Sequence, residues 1–489
     1  MFTYQDLEKV LEKNSDTEKM QFVRDVIVKH ESSDEFKTAK IAKEYFKHKN
    51  VTIKEYQKLL YTITGKAVPD NYSANFKMAS KYFYRFVTQE NQYLLGNGVT
   101  WEDESTRDEL GTKKYPFDTQ LQIAGREALI ESVAFGFWNL DHLEVFPLTE
   151  FAPLFDEENG SLRAGVRFWQ IDDTKPLRAT LYEEDGYTQY IWKTRVVGED
   201  TGEILKEKTT YVLNTATTEI DGTEIIDGEN YPSFPIVPLW ANSSKQSEIV
   251  GLREQIDCYD LIKSGFANTV DEASLIYWTL NNAGGMDDVD LAQFVERIKS
   301  LHAATTEDGV NAEAHSIEAP YASREALLDR LRSDMYEDAM ALDTKALASG
   351  GSVVTAVIKA AYEPLDDKCD EYEYQVNQFI DSILELTGIE DNATFTRSKI
   401  INTQEDVNVV LGAAEYLEPE YVTKKILTLL GDGDQIDDIL EKIDQDELDR
   451  FNAPDDETEN ELDQDELDSG VVTEMGDEII SMLEGLLEE

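Results

Sequence analysis

The sequence predicts an α+β, multidomain chain: a helical N-terminal region, a β-rich middle and a return to long helices. Three observations predict it. Apolar residues recur every three to four positions over roughly the first 140 residues, switch to every second position over about 142–230, and then return to helical spacing. At 489 residues the chain exceeds one ordinary core. A hydrophobic content of 41% with 10% aromatics is enough for packed interiors, so the chain is not disordered as a whole.

From Tyr4 to Lys66 the pattern is helical, carried by "DLEKVLEK", "MQFVRDVIVKH" and "AKIAKEYFKHKN". A further helix, "NFKMASKYFYRFVTQENQYLLG", starts after the turn "PDNYS" and stops at "GNG". "QLQIAGREALIESVAFGFWNL" reads as the next one. "HLEVFPLTE", "AGVRFWQI", "RATLYEE", "TQYIWKTRVV" and "TTYVLN" alternate, and Gly-containing turns separate them as in a meandering sheet. "NYPSFPIVPLW", with three of the twelve prolines, is an extended connector.

A long amphipathic helix follows, with Ile249, Leu252, Ile256, Tyr259, Ile262, Phe266 and Val270 on one apolar face. "SLIYWTL" is strand-like, "DVDLAQFVERIKSL" a short helix and "AEAHSIEAP" a second candidate strand. Ser323 is expected to cap another helix, with Leu327, Leu331, Met335, Ala339 and Leu342 on its inner face. That helix runs into "ALASGGSVVTAVIKAAYEPL", after which helical spacing continues to Gly388 with Pro364 inside it, where a kink is expected.

Charge narrows the function classes. The chain carries 100 Asp and Glu against 45 Lys and Arg, a formal net charge of −55. A monomer that wraps nucleic acid needs clustered cations, so that class is excluded. Between 432 and 468 stand 18 acids with only Lys442 and Arg450 to oppose them, and "DQDELD" occurs twice there; a solvated acidic tail is expected. The final "EMGDEIISMLEGLLEE" is amphipathic enough for one short helix. Cys258 and Cys369 both sit among apolar neighbours and are expected to be buried free thiols in a reducing compartment. The start, "MFTYQDLEKV", lacks the cationic-then-apolar pattern of a leader, and no apolar run reaches the roughly eighteen residues of a spanning helix, so a soluble intracellular product is expected.

Catalytic and metal signatures are missing from the sequence. The five histidines lie in separate segments, without an HExxH or a Cys-x-x-Cys. "GDGDQIDDILEKI" fails as a calcium loop, because Ile436 stands at the third ligand position and Asp437 where the turn glycine belongs. No metal and no cofactor are expected, and no enzymatic activity. The paired Gly350-Gly351 is not a nucleotide-binding P-loop, since no lysine adjoins it and a helix precedes it. A hinge and a turn both remain open for it.

The order of parts resembles the portal proteins of tailed bacteriophages, in the Gp6-like (SPP1-type) group. Three blocks carry the likeness: "NYSANFKMASKYFYRFVTQENQYLLGNGVTW", "FPIVPLWANSSKQSEIVGLREQIDCYDLIKSGFANTVDEASLIYWTL" and "ASGGSVVTAVIKAAYEPL". The likeness runs over about residues 40–430 and is clearest in these blocks. The resemblance implies a multidomain portal fold with a β-rich wing (1–242 and 353–400), a two-helix stem (243–272 and 323–343) and a small α/β clip (273–322). It further implies a tunnel loop (344–352), a long wing helix, a helical crown (401–431) and an acidic C-terminal tail (432–489).

The resemblance also implies a homo-oligomeric ring of twelve subunits at one vertex of the virion capsid, made in the host bacterial cytoplasm. Double-stranded DNA would pass through it, with the terminase large subunit, the head-tail adaptor, the scaffold and the major capsid protein as partners and no membrane. On that mapping Lys345, Ala348, Ser349, Gly350, Gly351 and Ser352 face the DNA, with Lys359 a further phosphate contact. Tyr277, Trp278, Asn281, Phe294 and Arg297 belong to the clip's partner surface. Arg324, Arg330 and Arg332 pair either with a neighbouring subunit or within their own helix. Two readings from other classes stand beside this one: an acidic adaptor or scaffold binding basic partners through its tail, and an acidic hydrolase using carboxylates of the 142–230 sheet.

Overall fold

The computed structural model describes residues 2–440 apart from 62–65, 71–74, 104, 194–201, 221–222, 274–276, 282–310, 316–320, 346–354, 398–402, 418 and 431–439. The chain forms two compact units, Met1–Ile400 and Ile401–Glu489. In the first, four N-terminal helices lead: α1 (Tyr4–Leu11), α2 (Asp16–Glu31), α3 (Asp34–Phe46) and α4 (Val51–Glu55). Their starts are set by short polar side chains: Ser33 Oγ accepts from Phe36 N–H at 3.2 Å, and Asn50 Oδ1 from Ile53 N–H at 3.0 Å. After these come α5 (Tyr82–Leu95), α6 (Ser105–Glu109) and α7 (Phe117–Glu131).

An antiparallel five-stranded meander runs 203–209, 186–192, 177–183, 162–169, 151–155 across the sheet. Leu7, Val23, Val26 and Ile27 from α1 and α2 pack on it against Leu154, Val166, Leu181 and Trp192. A three-stranded sheet (236–240, 133–139, 142–147) lies beneath α7. The largest core gathers α5, α7, this small sheet and the long helices described next. Those are α8 (Arg253–Ala273), α9 (Tyr321–Asp338) and α10 (Thr355–Thr387), which runs on through Pro364. The second unit holds a helical pair, α11 (Thr403–Ala413) and α12 (Pro419–Leu430). Among the described residues no helix is long and apolar enough to cross a membrane.

The mixed helix-and-sheet class stands, but several expected boundaries move, each for a physical reason. The N-terminal helical pattern ends at Glu55, and Leu59–Tyr61 pairs with Ala67–Pro69 as a small hairpin. The helix expected from Asn75 begins only at Tyr82, because 75–81 is extended and gives its N–H groups to side chains of α8. The next expected helix stops at Glu131. Ser132 takes φ 80°, and the aromatic, densely apolar "VAFGFWN" forms a fully covered strand pairing with both neighbours.

Among the later helices, residues 243–252 are turns in place of the first helical turns: Ser247 Oγ bonds Ile130 O, and Gly251 takes φ 88°. Ile249 and Leu252 are buried from that turn. Ser323 lies inside α9 and does not cap it. That helix ends at Asp338 in a Schellman cap: Ala341 N–H donates to Tyr336 O and Met340 N–H to Glu337 O, with Met340 at φ 51°. Cys369 is buried as expected, and burial pushes its thiol up to about 12, but Cys258 is exposed on α8. The expected helix at 288–301 and the "GDGDQIDD" motif lie outside the described residues.

Gly125 marks where α7 crosses α5 and α10. A Cβ there would collide with Tyr372 Oη and Asn91 Oδ1, both on buried residues. Gly125→Val is expected to cost about 1–3 kcal/mol, read as a lower urea midpoint with an unchanged slope.

Candidate functional site

Three sets of contacts position the helices on either side of the small-residue segment 346–354. The first closes its N-terminal base. Arg332 on α9 forks onto Asp343 with Nη1–Oδ2 at 2.8 Å and Nη2–Oδ1 at 2.6 Å, and Asp343 Oδ1 also accepts the Lys345 N–H at 3.0 Å. A planar guanidinium on a carboxylate fixes direction as well as distance. Between them Leu342 is buried with Tyr93, Tyr362, Leu365 and Cys369, while Gln89 Nε2 donates to its carbonyl at 3.2 Å. The chain is therefore clamped up to Lys345.

The second set centres on Lys368, the sole cation of α10 between Ala360 and Thr387. Its ammonium lies 2.8 Å from Glu90 Oε2 on α5 and 2.6 Å from Glu248 Oε2 in the turn before α8. It also donates to Ala339 O at the end of α9, at 3.3 Å. One buried charge thus ties the entry of α8, the exit of α9, α5 and α10 together. Burial, with Glu248 close by, pushes the Glu90 carboxyl up to about 7. The two carboxylates in turn raise Lys368, which keeps its charge throughout the neutral range. Further along α10, Arg397 draws together Asp366 (3.2 Å), Asp370 and Glu373 (2.8 Å), which stand four and three residues apart on one face.

The third set is a strap on α8. Asp260, Ser264 and Asn268, spaced by four, point inward and accept the N–H groups of Ser80 (2.9 Å), Met78 (3.0 Å) and Phe76 (2.7 Å). The two-residue step of an extended chain matches one helical turn closely enough for three successive bonds. Asp260 is fully buried and also accepts from Asn50 Nδ2 at 2.9 Å; burial raises its pKa. The buried face of α8 is therefore Ile256 followed by polar residues, and Val270 of the expected apolar face is exposed.

The expected site residues fall around this framework. Lys345 and Lys359 are exposed and stand before and after the segment in sequence; Ala348, Ser349, Gly350, Gly351 and Ser352 lie outside the described residues. Tyr277, Trp278 and Asn281 are on a strand that pairs with Asn311–His315, and Phe294 and Arg297 lie outside the described residues. The α9 arginines find partners within the chain: Arg330 pairs with Asp334 at 3.0 Å, Arg332 with Asp343, and Arg324 donates to Thr269 at 2.7 Å. No group of residues suited to a metal ion occurs among the described residues. Sequence reasoning missed Lys368 and Asp260. The one available signal was a lone lysine beside the buried-face residues Leu365, Cys369 and Tyr372.

Comparison with known proteins now decides the family. A sequence model described as phage portal protein, SPP1 Gp6-like, matches residues 25–448. The chain belongs to the SPP1 Gp6-like portal family. It is similar to the portal protein of Bacillus phage SPP1, 22% identical over 395 residues that cover 73% of each chain. It is also 28% identical over 191 residues to the portal protein of Clostridium phage phiCD119, a match covering 37% of this chain and 42% of that relative. Among solved structures, a chain from the virion of a native gene transfer agent particle overlays with a TM-score of 0.43 at 9% identity, covering 72% of this chain and 89% of that one. A chain from the neck of such a particle, computed with C12 symmetry, gives 0.40 at 9% identity, with the same coverage.

Two outcomes are expected at the portal-family Lys368 cluster. Lys368→Met leaves two carboxylates without their shared cation and should cost about 3–5 kcal/mol, measured by urea unfolding. Glu90 has a raised folded pKa, so its stabilising share is full below the unfolded value near 4.5 and is lost as pH rises from there to about 7. Glu90→Gln should therefore gain stability relative to wild type at pH 8 and lose that advantage at pH 5.

Proposed function

We propose that this chain is the subunit of a closed ring at one capsid vertex, a conduit through which double-stranded DNA enters under the terminase and later leaves, and the platform for the head-tail connector. The observation that carries the reading is the family match over residues 25–448. In this reading 1–242 and 353–400 form the wing, with α8 and α9 as the stem, 273–322 as the clip, 344–352 as the tunnel loop and 401–431 as the crown. Support for the stem comes from the side-by-side packing of α8 and α9, with Phe266 and Tyr321 rings 5.5 Å apart. The ring works without catalysis of its own.

The charge suits a conduit. Duplex DNA carries one negative charge per roughly 1.7 Å, so a basic bore would hold it, whereas an acidic one repels it from all sides. In this reading the few exposed cations at the loop, Lys345 and Lys359, make brief phosphate contacts, and Ala348 to Ser352 give the DNA a small-residue surface. Tyr277, Trp278, Asn281, Phe294 and Arg297 face the terminase and then the adaptor.

Purified full-length protein is expected to show rings with a central hole in negative-stain micrographs; a monomer at every concentration overturns the reading. Replacing Gly350 and Gly351 with valine is expected to impair DNA packaging while rings persist, and normal packaging by that variant removes the loop from the mechanism. Truncation after residue 431 should leave rings intact. Loss of partner binding with no rings in either protein would favour the acidic-adaptor reading.

A further inference from the structure

Cations are unevenly spread along this acidic chain. Residues 37–85 carry eleven Lys and Arg against only Glu44, Glu55 and Asp70, a net +8, while all other residues together hold 97 acids against 34 cations. Some of the eleven are neutralised within the chain: Lys43 pairs with Glu131, Lys37 with Asp34 at 3.2 Å and Lys49 with Glu44 at 3.3 Å. Lys47, Lys54, Lys77 and Lys81 are exposed and form no ion pair with the described residues. Like charges held together without counter-charges repel, so this patch serves nothing within the fold.

The fold gathers these four lysines on one surface. The extended strap 75–81 is tied to α8 through its N–H groups, and its alternation sends Lys77, Ala79 and Lys81 to one exposed side. The two strap lysines stand roughly 13 Å apart along it. At one end Lys77 Nζ donates to the Lys54 carbonyl at 2.6 Å, joining the strap to the last turn of α4. At the other end Lys81 stands beside His48, where burial and that ammonium hold the imidazole below its usual pKa. The His48 ring meets Tyr84 edge-on at 5.0 Å, and Lys47 precedes it in the same turn. Apolar side chains are interleaved: Tyr56 is 46%, Leu59 51% and Phe76 54% exposed, and Tyr84 is exposed as well.

We propose that the surface of Lys47, Lys54, Lys77 and Lys81, with Tyr56 and Tyr84, docks a short acidic segment of another protein, one that alternates carboxylates with apolar side chains. Charge complementarity selects an anionic partner, and two observations favour a protein segment over nucleic acid. Exposed Leu59 and Phe76 gain little from a phosphate backbone but are covered by leucine or phenylalanine of a peptide. The one arginine of 37–85, Arg85, is engaged with the Tyr336 hydroxyl, which leaves no guanidinium for bidentate phosphate recognition. A long duplex would also run onto the acidic surroundings, whereas a short segment stays within the few ångströms over which the local lysines dominate.

The probe is a fluorescein-labelled peptide of four Glu-Glu-Leu-Phe repeats, titrated with the full-length chain and followed by anisotropy. It is expected to bind, to weaken as salt rises, and to lose about tenfold in affinity to Lys54→Glu with Lys81→Glu. Tyr56→Ser with Tyr84→Ser should weaken it too, and an oligoglutamate of equal length should bind less well than the repeat peptide. On the wild-type chain, where no variant can misfold, the peptide should slow acetylation of Lys47, Lys54, Lys77 and Lys81 but not of the exposed Lys175. Absence of binding, equal binding by the lysine variant, or an oligoglutamate that binds as tightly overturns the proposal. A short DNA duplex that binds more tightly than the peptide and is lost with the same lysines makes the patch a nucleic-acid surface, and also overturns it. Slow acetylation of the four lysines in the free chain shows them already covered, which overturns an outside partner. None of these outcomes bears on ring formation.

Discussion

A single buried ammonium organises the centre of this protein. Lys368 holds Glu90, Glu248 and the Ala339 carbonyl, and so fixes where the α8–α9 pair begins and ends relative to α5 and α10. A buried ion cluster adds little net stability compared with apolar packing, because desolvation offsets much of the attraction. What it supplies is placement: an ammonium between two carboxylates tolerates few alternative arrangements. The Arg332–Asp343 fork and the buried Leu342 carry that placement on to Lys345, where the small-residue segment of the sequence begins.

The same economy governs α8. Its inward side spends Asp260, Ser264 and Asn268 on the backbone of an extended strap, so the helix is anchored by hydrogen bonds where a core helix would use apolar side chains. Each bond is modest, about 0.5–1.5 kcal/mol net, but leaving any of those buried groups unpaired would cost more. Anchoring one face with polar groups leaves apolar side chains for the outer face.

The strong negative charge shapes how the chain pairs its ions. Within the chain, acids are gathered around scarce cations: Arg397 collects three carboxylates of α10, and Lys368 two from other elements.

The sequence by itself determined the mixed class, the alternation of the strands between 151 and 209, the long helix through Pro364, the strand character of 277–281 and 312–315, and the family. Each of these is written in local periodicity or in short phrases that only local sequence must satisfy. It misjudged the strand at 133–139, because a strand covered on both faces has no alternation to display and its apolar run reads equally as helix. It misjudged 75–81, whose helical spacing lost to three hydrogen bonds offered by residues nearly two hundred positions away. The meaning of Lys368 was equally out of reach, since Glu90 and Glu248 lie 278 and 120 positions earlier in the chain. Only the tertiary structure could decide these points, because a buried charge is defined by the partners that folding brings to it.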